Sequence, residues 1–203
     1  MPLIMQRGFR AIRRLGRLPE LLLPQLKIRR LIHQFDGPLR LHLGCGKNRL
    51  PGFINMDLNS SHATDLTTDI KRLPFASGST GRIECYHAFE HISFPQVGEY
   101  LREWLRVLRP GGELVLELPD FDAGIREYLQ GNEERLYSIY GRQRFPGDAH
   151  QWGYNPKRLT RILEQYGFER IEFSDPQDYH AALAPCLRVT ARKPIREHDK
   201  SGV

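Results

Sequence analysis

The chain has 203 residues, enough for one α/β domain with a good core and not comfortably for two. Its 40% apolar and 27% charged composition is that of a globular protein, and no apolar run approaches the roughly 20 residues of a membrane helix. The net charge of +6 is concentrated in residues 1–35, where eight Lys or Arg face Glu20 alone; the remainder is near neutral and offers no basic surface for nucleic acid.

Residues 1–35 read as two amphipathic pieces broken near Pro19 and Pro24. Ile4, Phe9, Ile12, Leu15 and Leu18 recur at roughly helical spacing with arginines between them. Such a basic arm packs on its own domain, makes a homodimer contact, lies as a peripheral element on an anionic membrane face, or stays disordered. Arginines interrupt it and Leu21-Leu22-Leu23 is too short for a secretory core, so a signal peptide is not expected. The three cysteines, Cys45, Cys85 and Cys186, form no paired framework, which points to a reducing, cytoplasmic setting, with the arm able to reach the inner face of the membrane. Asp36-Gly37-Pro38 is turn chemistry. It separates the arm (1–35) from one domain (36–193) and a polar tail (194–203).

Leu39, Leu41 and Leu43 predict a short strand that runs into Gly44-Cys45-Gly46. Without a Cβ, Gly44 and Gly46 allow a sharp turn and close approach of a ligand to the backbone. Cys45 reads as a small space-filler between them. Phe53-Ile54-Asn55-Met56 predicts a second strand ending in Asp57, followed by Leu58. A carboxylate there can accept from both hydroxyls of a ribose. The pattern departs from a nicotinamide site, because Arg49 occupies the third-glycine position and the acid comes early.

Asp65 to Ile70 predicts a third strand ending in Asp69. Arg82 to Tyr86 predicts a fourth that runs out into a loop carrying His87, Phe89, Glu90 and His91. Those letters fit H-x-x-E-H, but that zinc chemistry needs a helix and here a strand precedes, so no metal is assigned. Pro95 to Leu108 predicts a helix with Val97, Leu101, Leu105 and Leu108 on its apolar stripe, stopped by Arg109-Pro110-Gly111-Gly112. Glu113 to Asp120 predicts a fifth strand. A helix is expected around Ile125 to Leu129, and then Phe145 to Tyr154 form a polar and aromatic loop. Asn155-Pro156 is a cap followed by a first-turn proline, opening a helix that buries Leu159, Ile162, Leu163 and Tyr166 and ends at Gly167. Phe168 to Phe173 and Leu187 to Arg192 predict two closing strands.

LHLGCGKN with PGFINMDL, the LPF at 73–75, HAFEH at 87–91 and LRVLRPGGELVLELPD at 105–120 together resemble the class I S-adenosylmethionine (SAM) methyltransferases, specifically their small bacterial branch with a shortened first helix. The resemblance covers about residues 39–192. It implies a single doubly wound Rossmann-like domain, with a seven-stranded, mostly parallel sheet, an antiparallel last strand and helices on both faces. SAM, or its product S-adenosylhomocysteine, would lie at the carboxyl ends of the strands. Gly44, Cys45 and Gly46 would border its methionine part, Asp57 and Leu58 the ribose, Asp69 and Ile70 the adenine, and His87 and Phe89 the sulfonium end or the adenine face.

Methyl transfer to a hydroxyl gains from a base. His150 is the candidate, with Asp148 as its orienting partner and His91 as the alternative. The acceptor expected from the resemblance is a small molecule or glycan, with a sugar hydroxyl as the target. A SAM-binding assembly or regulatory protein without catalysis is the alternative of a different class. Nucleic acid is disfavoured by the near-neutral domain.

Overall fold

The computed structural model describes residues 18–195. Its chain divides into two units, residues 1–37 and 38–203. In the first, α1 spans Leu18–Ile32. The expected break near Pro24 is absent, and the helix continues through it. Pro19 costs little in the first turn, where its missing N–H has no partner to lose. The earlier amphipathic piece, with Ile4, Phe9, Ile12 and Leu15, lies outside the described residues, as does the tail beyond residue 195.

The second unit is built on seven strands: β1 (Leu39–Leu43), β2 (Ile54–Asp57), β3 (Leu66–Thr67), β4 (Thr80–Tyr86), β5 (Leu108–Pro119), β6 (Glu169–Ser174) and β7 (Cys186–Arg192). Their order across the sheet is β3-β2-β1-β4-β5-β7-β6. β1 to β5 run parallel, and β7 enters antiparallel between β5 and β6. Strand order reverses between β1 and β4, so the loops after these two strands diverge and leave a crevice at their carboxyl ends. The helices are α2 (Val97–Val107), α3 (Phe121–Leu129), α4 (Arg135–Tyr140) and α5 (Pro156–Gln165). The crossovers β1 to β2, β2 to β3 and β3 to β4 carry loops and turns in place of helices, which tightens this half of the sheet around the glycine loop.

One face of the central strands is apolar, while the other also carries the buried polar groups His42, Glu84 and Glu117. Leu41, Leu43, Ile83, Leu114, Val115 and Leu116 are all fully buried. β6, at the edge, is mostly exposed. α2 buries Val97, Leu101, Trp104 and Val107, with Leu108 beginning β5. Trp104 takes the place expected for Leu105 because its indole N–H reaches the carbonyl of Ile70 at 2.9 Å, so a large ring can be buried without an orphaned donor. Glu103 and Arg106 on the same helix hold the 73–77 turn: Glu103 accepts from the Leu73 N–H, and Arg106 donates to the carbonyls of Leu73 and Phe75.

β5 starts five residues before the expected Glu113, since the Pro-Gly-Gly bend is absorbed as an irregularity in the ladder with β4. α5 begins where the sequence places it, with the Asn155 side chain accepting from the Arg158 N–H. The third strand is only Leu66–Thr67, shorter than the expected Asp65 to Ile70. Asp65 is taken up elsewhere: its carboxylate accepts from the Asn55 N–H at 2.9 Å and pairs with Arg49 at 2.8 Å.

Candidate active site

The glycine loop turns immediately after β1. The N–H groups of Gly44 and Cys45 both donate to the Met56 carbonyl on β2, at 2.9 and 3.0 Å. Gly44 and Gly46 have φ of +71° and +53°, the left-handed region that glycine tolerates best. A Cβ on Gly44 would lie 2.3 Å from the Ala88 Cβ, so this loop and the segment after β4 touch. A Cβ on Gly46 would meet nothing within 4 Å. Gly46 therefore floors an open cradle.

Asp57, at the end of β2, ties this cradle together. One carboxylate oxygen accepts from the Gly46 N–H and the other from the Asn59 N–H, each at 2.8 Å. A carboxylate has about four acceptor sites, so one per oxygen is left for ribose hydroxyls. The open floor and this spare acceptor capacity fit SAM. Arg49, where a nicotinamide fold would need its third glycine, instead clamps Asp65 and the Ala63 carbonyl. Cys45 is buried, and burial pushes its thiol pKa up, so it fills space here.

The other expected cofactor contacts divide. Leu58 is exposed beside Asp57, and Asp69 is exposed two residues beyond β3, with one oxygen accepting from the Lys71 N–H at 2.8 Å. Ile70 is half-buried and its carbonyl is used by Trp104. Phe89 is a correction: it is fully buried, packed against Trp104 and Tyr154 with ring centroids 5.9 and 5.0 Å away. Its ring belongs to the core and has no face free for a cofactor.

The second half of the site lies after β4. His87 adopts φ of +47°, and a short 3-10 turn, Phe89–His91, follows. The turn places Glu90 inward at 2% exposure. Neither Glu90 oxygen has a hydrogen-bond partner among the described residues. His87 Nδ1 is 3.4 Å and His150 Nε2 4.0 Å from its Oε1. His91 and His150 meet edge to face, with ring centroids 5.0 Å apart. Burial opposes ionisation of Glu90, but the facing His87, and then His91 and His150, hold its pKa below the ordinary value. Burial alone would lower the pKa of His87; the sulfur of Cys186 and the Glu90 carboxylate outweigh it and raise it. Burial lowers His150, leaving a neutral ring near pH 7.

Asp148 is the second correction. It does not touch His150 but binds Arg144 through its backbone N–H and guanidinium, at 3.0, 2.9 and 3.1 Å. Arg144, four residues earlier in the same loop, turns the chain back on itself and captures the carboxylate. Glu90, from sixty residues upstream, is the acid that faces His150.

Behind this pole a buried ion pair holds the wall. Glu117 on β5 is opposite Arg188 on β7, and their side chains meet at 2.7 Å. Glu117 also accepts from the N–H groups of Gln177 and Asp178. It thereby holds the 175–185 connection near the site, and His180 from that connection stacks on His87 with centroids 3.9 Å apart. Sequence reasoning does not reach Glu117, Asp178, His180 or Cys186 as neighbours of His87. The only local hint is a lone acid within the apolar run of β5.

A glycine loop after β1, an acid at the end of β2 and a polar cluster after β4, on a 3-2-1-4-5-7-6 sheet, make the class I SAM-methyltransferase fold. The methyltransferase domain family matches residues 46–116. A SAM-dependent methyltransferase structure from Methanosarcina mazei aligns over 81% of this chain and 97% of its own, at 16% identity and a TM-score of 0.56. A possible histamine N-methyltransferase from Thermotoga maritima aligns over 91% of this chain and 97% of its own, at 14% identity and 0.55. Human N-acetylserotonin methyltransferase, solved in complex with SAM, aligns over 82% of this chain and 51% of its own, at 17% identity and 0.53. In sequence, a transposon-encoded protein of Streptomyces fradiae is 30% identical over 100 residues; the match spans 49% of this chain and 27% of that relative. The domain match runs from the glycine loop into β5, and the fold is shared with SAM-dependent methyltransferases, to which this chain is therefore similar.

Proposed function

We propose that the protein moves the methyl group of SAM to a hydroxyl of a small-molecule or glycan acceptor, with a sugar hydroxyl as the preferred target. The observation that carries this is the contact between the glycine loop and the histidine pole: Gly44 abuts Ala88, which lies between His87 and the turn bearing Glu90 and His91, and His150 faces that turn. The acceptor oxygen bonds to the methyl carbon as the carbon–sulfur bond breaks, and that electron pair returns to sulfur. The hydroxyl must also lose its proton, and on this reading the Nε2 atoms of His150 and His91 favour that loss. Binding and alignment supply most of the remaining rate.

A glycan is favoured by an aromatic rim beside these histidines. Phe94 and Trp152 stack with centroids 4.6 Å apart and remain 44% and 37% exposed, three residues from His91 and two from His150. Flat aromatic faces suit the apolar faces of a sugar ring, while polar groups behind them fix its hydroxyls.

The test begins with mass spectrometry of ligands that copurify with the protein, followed by transfer from labelled SAM to a panel of sugar, small-molecule and nucleic-acid acceptors. Label appearing as an O-methyl on sugars supports the reading. Tight S-adenosylhomocysteine binding with no transfer to any acceptor would favour a SAM-binding assembly or regulatory protein. A protein that binds neither form of the cofactor would overturn both.

A further inference from the structure

We propose that Glu90, His91 and His150 bind one divalent transition-metal ion. One oxygen or nitrogen from each of the three lies within 4.8 Å of the others. Ligands around one zinc-like ion sit at about 2.0–2.2 Å from it, hence roughly 3–3.5 Å from each other. His150 Nε2, 4.0 Å from Glu90 Oε1, is a small ring rotation away from that spacing.

Glu90 is the first reason to expect a cation. Its carboxylate is almost wholly buried, and neither oxygen has a hydrogen-bond donor among the described residues. Buried carboxylates are paired, hydrogen-bonded or bound to metal. His87 and His150 face it only at 3.4 and 4.0 Å.

The histidines supply the second reason. His91 Nδ1 lies 3.1 Å from the Ala149 carbonyl, and His150 Nδ1 lies 3.0 Å from the Ser138 carbonyl. A carbonyl can only accept, so each Nδ1 carries the proton and each Nε2 keeps its lone pair. Fixing the far nitrogen on a carbonyl is how proteins orient a histidine toward a metal. The segment bearing His150 is itself fastened to the turn bearing Glu90, because the Gln151 N–H donates to the Glu90 carbonyl at 2.8 Å.

Two imidazoles and one carboxylate favour zinc, manganese, iron or cobalt over magnesium or calcium, which prefer all-oxygen sites. The neighbouring trio, His87, Asp178 and His180, is the weaker candidate, since Asp178 already accepts from the His180 backbone and ring. The arrangement also differs from a helical H-x-x-E-H site. Here the adjacent Glu90 and His91 bind, His150 completes the set, and His87 belongs to the second trio. This inference rests on the proposed methyl transfer for its role. Three protein ligands leave coordination positions open, and a hydroxyl bound there loses its proton more readily. The two Nε2 atoms then act as ligands.

The full-length protein, stripped with a chelator and dialysed, is titrated with zinc, manganese and magnesium chlorides by calorimetry, and with cobalt by visible absorption. The expected result is one zinc or manganese ion per chain, a cobalt spectrum of nitrogen–oxygen ligation, and little response to magnesium. His150→Ala and His91→Ala should each weaken zinc at least tenfold, Glu90→Gln should abolish the cobalt spectrum, and His180→Ala should leave both unchanged, with folding checked by circular dichroism. Uptake of fewer than one ion per chain, or equal zinc affinity in the parent and in His150→Ala, would overturn the site. So would loss in His180→Ala with none in His150→Ala. S-adenosylhomocysteine binding in the same samples separates the two ideas. Cofactor binding without metal binding removes only the metal site, whereas absence of cofactor binding removes the methyltransferase reading.

Discussion

Replacing the two loop glycines with alanine separates fold from ligand. At Gly46 the added methyl meets no protein atom within 4 Å, so the structural cost is that of placing an L-residue at a φ of +53°. That cost is about 1–2 kcal/mol. Restricting the unfolded chain offsets about 0.4–1 kcal/mol of it. A net loss near 1 kcal/mol lowers Tm by roughly 2–4 °C in a chain of this size. The same methyl stands in the cradle, where it would displace a cofactor bound over Gly46. S-adenosylhomocysteine affinity should therefore fall at least tenfold, which corresponds to about 1.4 kcal/mol.

At Gly44 the added methyl lies 2.3 Å from the Ala88 Cβ, far inside the contact distance of two carbons, and no flexible side-chain end is there to yield. Overpacking adds about 1–3 kcal/mol to the backbone cost, so Gly44→Ala should lose roughly 2–4 kcal/mol of stability as well as binding. Calorimetry measures both quantities, with scanning for Tm and titration for affinity. A folded Gly46→Ala that binds S-adenosylhomocysteine within twofold of the parent would refute the placement of the cofactor over Gly46.

Asp57→Ala removes the carboxylate that holds the Gly46 and Asn59 N–H groups and would receive the ribose. Charge-assisted hydrogen bonds contribute roughly 1.5–3 kcal/mol, so titration should show at least a tenfold weaker cofactor; an unchanged Kd in a folded variant would remove Asp57 from the ribose site. Glu117→Ala leaves Arg188 buried without its main partner and frees two backbone donors, which should cost about 3–5 kcal/mol in urea unfolding; a loss below about 1 kcal/mol would mean that water replaces the pair. Glu103, bonded by Arg106 and by the Leu73 N–H, has its carboxyl pKa held below the usual 4.5. A depressed folded pKa stabilises above the unfolded value, and that contribution disappears as pH falls through the folded one. Urea unfolding should accordingly show the stability gap between the parent and Glu103→Gln narrowing below about pH 4.5; a gap of constant size down to pH 3 would contradict the pairing.

Much of this molecule is legible in one dimension because the signals are local. Leucines at every second position mark β1, and short, mainly apolar stretches mark β2 (Ile54, Met56) and β5 (Leu114, Val115, Leu116, Leu118). Asn155-Pro156 marks the start of α5 because a cap and a first-turn proline satisfy the same few backbone groups wherever they occur. The glycine cradle and Asp57 sit on either side of one short crossover, so spacing alone places them together. What the tertiary structure alone decides is which distant groups share a pole. Sequence proximity suggests Asp148 as the partner of His150, yet Arg144 is nearer in the folded loop and takes the carboxylate, while Glu90 arrives from the end of β4. Phe89 sits among residues that suggest a ligand contact, but the 3-10 turn directs it into the core and turns Glu90 toward the histidines. Asp178, His180 and Cys186 reach His87 because β7 runs antiparallel beside β5 and Glu117 fastens the preceding connection. Local patterns record the burial and backbone needs of each segment. The meeting of charged groups sixty to a hundred residues apart depends on strand order and on the hydrogen bonds that fasten each loop.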